Sequence, residues 1–175
     1  MKVAISLFIT IASLITLAAC GGGESTTPTP SPVVPAKTTI VLKIGTKGSL
    51  ASGVSLYGVG IDVTLPAGVT VATDSNGAVS SSVAVVSGVA SGGSIATPVY
   101  TPATATANAT LKLIVAAGGS GFGIGEFVTV TCMLPSGDSL QVSDFPATIL
   151  SNLEPANQQL APVTGLTATI TATLN

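Results

Sequence analysis

The 175-residue chain contains no histidine, no tryptophan and no arginine, and charged residues make up only 7% of it. The missing histidine removes imidazole general bases, the commonest nitrogen ligands for metals, and c-type haem attachment. The missing arginine removes the bidentate clamp for phosphate and carboxylate, and the missing tryptophan removes the largest stacking platform. Five lysines against seven acids give a formal charge of −2, the opposite of a nucleic-acid binder's footprint. Polarity must therefore come from Ser, Thr, Gly and the backbone, because apolar residues account for 46% of the chain. These absences exclude most enzyme mechanisms and predict a non-catalytic protein. The length suits one domain plus an appendage.

The appendage is legible at the N-terminus. Lys2 is followed by an uncharged run through Val3, Leu7, Phe8 and Ile11, closed by Leu17-Ala18-Ala19-Cys20 and then Gly21-Gly22-Gly23. A cation, an apolar stretch and small residues before a break form a secretory leader over residues 1–19. The run approaches the length of a membrane span, but no basic flank follows to stop transfer. The Leu-Ala-Ala-Cys ending resembles the bacterial lipobox. The resemblance implies diacylglyceryl transfer to the Cys20 thiol, cleavage before Cys20 and acylation of the new amine. Acyl chains bury methylenes at about 0.8 kcal/mol each, so such an anchor would be effectively permanent. Gly21, rather than Asp, after the Cys implies export to the outer membrane in a host with two membranes, with the side it faces left open.

Residues 20–37 form a linker in which a glycine triplet gives way to alternating prolines, Pro28, Pro30, Pro32 and Pro35. Such a segment favours polyproline II and cannot pack a core. At about 3.1 Å per residue, its proline-rich part spans roughly 30–40 Å.

From residue 38 to 175 no helical period is sustained, and short runs of β-branched residues alternate. Ile40, Leu42 and Ile44 share one face of a first strand. Tyr57, Val59, Ile61, Val63 and Leu65 form an inward row, with Gly58, Gly60, Asp62 and Thr64 outward. Two glycines on one face indicate a bulge or close approach more readily than a ligand groove. Pro66-Ala67-Gly68 and Asp74-Ser75-Asn76-Gly77 read as turns. Val83 and Val85 indicate another strand, and 87–107 reads as a long exposed excursion. Leu111, Leu113 and Val115 point inward, followed by the glycine-rich loop 118–125, which lacks the Lys-Ser/Thr ending of a phosphate cradle. Val128, Val130, Cys132 and Leu134 share a face, as do Leu166, Ala168, Ile170, Ala172 and Leu174. Between these, 144–162 holds a short helical turn. Seven to nine short strands predict an all-β fold, an antiparallel β-sandwich.

Val63-Thr64-Leu65-Pro66-Ala67-Gly68-Val69-Thr70-Val71, a long middle, and Gly125-Glu126-Phe127-Val128-Thr129-Val130-Thr131-Cys132 before a Gly137-Asp138 turn resemble bacterial cohesin-type modules. The resemblance implies a jelly-roll sandwich with a non-catalytic binding role. Leu65-Pro66 stands where that family carries a Tyr-Asp-Pro element. Related carbohydrate-binding sandwiches share the fold but present an aromatic strip, for which only Tyr57 and Tyr100 are available; Tyr57 reads as core.

The chemistry-bearing residues are sparse. With Cys20 lipidated, Cys132 has no disulfide partner and reads as a small buried hydrophobe. Asp74 with Asn76, and Asp138, have the oxygen chemistry for Ca²⁺, but turn formers of this kind bond their own backbone. No cofactor is expected beyond the lipid on Cys20. The uncharged loops point to Phe122, Ile124 and Tyr100 as partner-binding residues. Phe122 either anchors a partner or folds over the end of the sandwich as a plug. The expected partners are the membrane, through the lipid, and a protein or polysaccharide, but not nucleic acid. The expected function is binding or assembly at the cell envelope. The alternative is a structural accessory subunit of an outer-membrane complex.

Overall fold

A computed structural model describes residues 38–137 and 139–175. The expected leader, the expected lipidation position Cys20 and the expected linker through Lys37 lie outside the described residues, as does Asp138.

The described chain forms nine strands: β1 (Thr39–Gly48), β2 (Gly58–Thr64), β3 (Ala84–Val86), β4 (Ser94–Ile95), β5 (Val99–Thr101), β6 (Thr110–Ala116), β7 (Glu126–Met133), β8 (Leu150–Ala156) and β9 (Leu166–Leu174). They make an all-β fold of two antiparallel sheets packed as a sandwich. One sheet runs β3-β7-β1-β9, and the other runs β4-β6-β2-β8 with β5 also paired to β6. The period of two in each long strand sends one set of side chains into the space between the sheets. Ile40, Leu42 and Ile44 of β1 meet Val59, Ile61 and Val63 of β2, Leu111, Leu113 and Val115 of β6, and Val128, Val130 and Cys132 of β7 in one buried core. Burial of each large aliphatic side chain stabilises the fold by about 1.5–3 kcal/mol.

Several departures from simple alternation have local causes. Ile44 pairs with Val128 but Gly45 with Glu126, so Phe127 is an extra residue on β7. This bulge turns Phe127 inward beside Val128, and both are fully buried. A second bulge lies on β8, where Gly60 pairs with Glu154 but Asp62 with Ser151. Asn152 adopts φ +50° there, and its side-chain amide donates to Asp62 Oδ2 at 2.7 Å. Gly60 sits opposite this bulge, and a Cβ on it would lie 3.3–3.4 Å from the Glu154 side chain. Close approach of β8 thus accounts for that glycine.

The strand expected at Val83 and Val85 is β3, in which Val85 is 52% exposed and faces out while Ala84 and Val86 pair with Val130 and Val128 on the inward side. Two readings of the sequence are corrected. The stretch 87–107 is not one excursion: β4 and β5 cover the margin of β6. The stretch 144–162 contains the whole of β8, which was hidden because Pro155 and the bulge break its alternation. The helical element expected there appears as two short 3-10 turns, Val142–Asp144 and Ala147–Ile149, flanking buried Phe145.

The two ends of the sandwich differ. Thr38 and Asn175 lie together at one end, the Thr38 amide donating to the Asn175 carbonyl at 3.0 Å. At the other end Gly48 pairs with Leu166, and Gly58 pairs with both Ala116 and Ala156. The connections 49–57, 117–125 and 157–165 therefore gather roughly 30 Å from Thr38 and Asn175, at about 3.3 Å per strand residue.

Candidate functional site: a cleft at the far end

The connections at this end are tied by backbone bonds. Leu56 and Phe122 exchange two amide-to-carbonyl bonds of 2.9 Å each. The Tyr57 amide donates to Ala156 O at 2.8 Å, and the Ala117 amide donates to Tyr57 O at 2.9 Å. Tyr57 is thereby clamped between the ends of β6 and β8, with its side chain half-buried rather than in the core as expected from its place in the inward row. Gly121, at φ +78°, lies against the Tyr57 ring, and a Cβ there would approach Cε2 to 2.9 Å. The glycine is required both by its backbone conformation and by the ring it seats.

Beside the ring is a cleft of about 180 Å³ lined by Gly53, Val54, Ser55, Tyr57, Asn157, Gln158 and Gln159. Asn157 builds the loop: its Oδ1 accepts the amides of Gln159 and Ala161, both at 3.0 Å, and its own amide donates to Ala161 O. With Asn157 so committed, Gln158 and Gln159 are held out in solvent at the rim. The lining residues carry no ionisable group apart from the phenol. They offer amide donors and acceptors, a serine hydroxyl and one aromatic ring, a set that matches neutral hydroxyl-rich ligands. The volume falls below the range of about 300–1,000 Å³ typical of drug-sized ligands, so it suits one small polar unit at a time.

On the other side of the same loop, Leu153, Leu160, Pro162, Val163 and Leu166, together with Glu154 and Thr164, border an open groove of about 600 Å³. Leu160 is 81% exposed and adopts φ +59°, a left-handed conformation that leucine rarely takes. The loop thus divides a polar cleft from a groove of mixed lining.

The residues expected to bind a partner are dispersed. Phe122 is only 5% exposed and packs with the core, the arrangement the plug alternative describes. Ile124 is half-buried on the same loop. Tyr100 is half-buried against the core on β5, which pairs with Thr110–Lys112 toward the linker end. Burial raises its phenol above the ordinary value, and the nearby Cys132 adds to the effect. Asp74 Oδ1 accepts the amides of Asn76 and Ala78 at 2.8 and 2.9 Å, so the carboxylate closes its own turn. That turn also lies at the linker end.

Two further polar positions are defined. Burial pushes the Cys132 thiol up to about 12. On the outer face of the first sheet, Ser87 Oγ donates to Glu126 Oε1 at 2.7 Å, the Thr129 hydroxyl lies 3.1 Å from the same oxygen, and Lys43 Nζ is 3.5 Å from Oε2. The Ser87 hydrogen bond chiefly holds the Glu126 carboxyl below its ordinary value, partly opposed by burial, with Thr129 and Lys43 adding to the lowering.

Sequence reasoning missed Asn157, Gln158 and Gln159 as a group. The signal was an uncharged amide run between Pro155 and Pro162, but nothing local to it indicates that Tyr57 lies alongside. Comparisons with protein-family models, curated proteins and solved structures return no match for this chain.

Proposed function

We propose that this chain is a lipid-anchored protein of the cell envelope, exported to the outer membrane of a two-membrane host, whose sandwich binds a neutral polysaccharide without catalysis. The anchor is Cys20, and the proline-rich linker is the spacer. The sandwich is taken to be a cohesin-like jelly roll used here for a glycan. The observation that carries the reading is the position of the cleft. It combines one aromatic ring with amides and a hydroxyl, and it lies at the end opposite Thr38, where the linker joins. A domain tethered at Thr38 would present that end away from the lipid surface. Stacking of the Tyr57 ring on a sugar face and hydrogen bonds from Gln158 and Gln159 to hydroxyls would supply recognition.

The exposed Leu160 beside the groove favours a second reading, a structural accessory subunit docked to a membrane complex. One experiment separates the two. The full lipoprotein, extracted in mild detergent, is applied to an array of neutral glycans beside Tyr57→Ala and Gln158→Ala/Gln159→Ala variants. Binding that falls at least tenfold in both variants supports the cleft. Absence of glycan binding, with recovery of a stoichiometric membrane complex after mild crosslinking, replaces this reading by the second. Mass spectrometry of the mature N-terminus tests the anchor, which an unmodified chain starting at Met1 would remove.

A further inference from the structure

The amide loop beside Tyr57 is held in a way that leaves one of its polar groups fixed but unspent. Residues 157–161 fold the chain back against the end of β8: Ala156 bridges to Pro162, and the Val163 amide donates to Pro155 O at 2.8 Å. Inside this turn Asn157 is tied by both backbone and side chain. Its amide donates to Ala161 O and its carbonyl accepts the Leu160 amide, both at 3.0 Å. Its Oδ1 accepts the amides of Gln159 and Ala161, also at 3.0 Å each.

Two backbone donors on one oxygen settle the carboxamide. A nitrogen in that place would set donor against donor, so the group cannot be turned over, and Nδ2 is confined to one position. Within the described residues nothing accepts a hydrogen bond from it. Among those residues no buried side-chain polar atom lacks a partner, so Nδ2 of the half-buried Asn157 reaches solvent, in the lining of the cleft. The exposed Gln158 and Gln159 side chains and the Ser55 hydroxyl have no such restraint. Each must lose rotamer freedom when it binds, whereas the Asn157 donor is ordered by folding itself.

The character of this donor selects the ligand. Sugar hydroxyls both donate and accept, so water replaces them readily in either sense. The carbonyl of an acetamido group only accepts, and it is the better match for a group that only donates. The N–H of the same acetamido can be taken by Ser55 or a glutamine oxygen, and its methyl needs one small apolar contact, which Val54 and the Tyr57 ring supply. Charged sugars find no counter-charge there: the lining holds neither a carboxylate for a free amine nor a lysine for a uronate. We propose that Asn157 is the specificity-determining residue of the cleft and that the unit it selects is an N-acetylated amino sugar, held through the acetamido carbonyl by Nδ2. The inference rests on the reading of this cleft as a glycan site and narrows it to one class of sugar.

Asn157→Asp separates the two roles of the residue. Oδ1 and its backbone bonds are kept, so the loop should hold, while the nitrogen donor becomes an oxygen that only accepts. The full lipoprotein in mild detergent is titrated with N-acetylglucosamine, N-acetylgalactosamine, glucose and galactose, and binding is followed by ligand-observed NMR. At least one acetylated sugar should bind tenfold or more tighter than its parent hexose. Asn157→Asp should lower that affinity at least tenfold with Tm changed by less than about 2 °C. The unaltered chain supplies a readout that needs no variant: saturation transferred from the protein should be strongest at the acetyl methyl protons. Transfer confined to ring protons, equal affinity for hexoses and their acetylated forms, or undiminished binding by a folded Asn157→Asp chain would overturn this inference and leave the glycan site standing. No binding of any of the four sugars, with an empty array of neutral glycans, would overturn the glycan reading and this inference with it.

Discussion

Phe122→Ala probes the end of the core and the seat of the cleft together. The ring is 5% exposed, and its backbone is bridged to Leu56, which is fully buried. An aromatic side chain buries about 150–250 Å², and at about 25 cal/mol per Å² the loss, less what alanine retains, is roughly 3–4 kcal/mol. Core Phe→Ala replacements fall in the same range, about 3–5 kcal/mol including the cavity left behind. Phe122 lies at the end of the sandwich, where loop 118–125 can partly collapse, so the lower figure applies. Against a total stability of about 5–15 kcal/mol, a loss of about 3 leaves the protein folded but weakened. For a domain of this size it should lower Tm by roughly 10 °C. Circular dichroism melting measures the shift, and glycan binding is measured at a temperature where the variant is folded. Binding per folded molecule should persist, because Phe122 does not line the cleft and its bonds to Leu56 are made by the main chain. A Tm change under about 2 °C accompanied by lost binding would refute the placement and restore Phe122 as an exposed anchor.

Cys132 should resist thiol reagents in the folded protein, since with its thiol pushed up to about 12 only about one molecule in 10⁴ is ionised at pH 8; rapid native labelling at this position would contradict the burial. Because the unfolded chain releases that proton first, stability should decline as pH rises from 9.0 toward about 12, at up to about 1.4 kcal/mol per pH unit, and Cys132→Val should flatten the decline. Glu126 behaves in the opposite sense. Its carboxyl is held low, so its stabilisation is present above the unfolded value and is lost as pH falls through the folded one. Ser87→Ala should raise the Glu126 titration followed by NMR more than Lys43→Met does, because the lysine is 54% exposed and screened by water. The reverse order would show that the ion pair, not the hydroxyl, sets the carboxyl.

How much of this was legible beforehand differs by element. In β6, and in β1 as far as Ile44, alternation is unbroken, and the inward rows Ile40-Leu42-Ile44 and Leu111-Leu113-Val115 could be read directly because the two faces of a strand are set by covalent geometry. The same local rule failed wherever pairing overrode it. Phe127 enters the core only because β1 sets Gly45 against Glu126. β8 is a strand because β2 accepts it, despite Pro155 and a bulge. The cleft escaped notice for the same reason, as its wall residues Tyr57 and Gln158 are a hundred positions apart.

The sequence by itself determined the all-β class, the positions of the long strands, the buried Cys132 and the absence of histidine and arginine chemistry, since each depends on residue type or on spacing within a few neighbours. Only the tertiary structure decided that Phe122 is a plug, that Tyr57 stands beside an amide loop, and that this loop lies at the end far from Thr38. These are consequences of strand order, and strand order is fixed by contacts between segments distant in the chain, which no local pattern encodes.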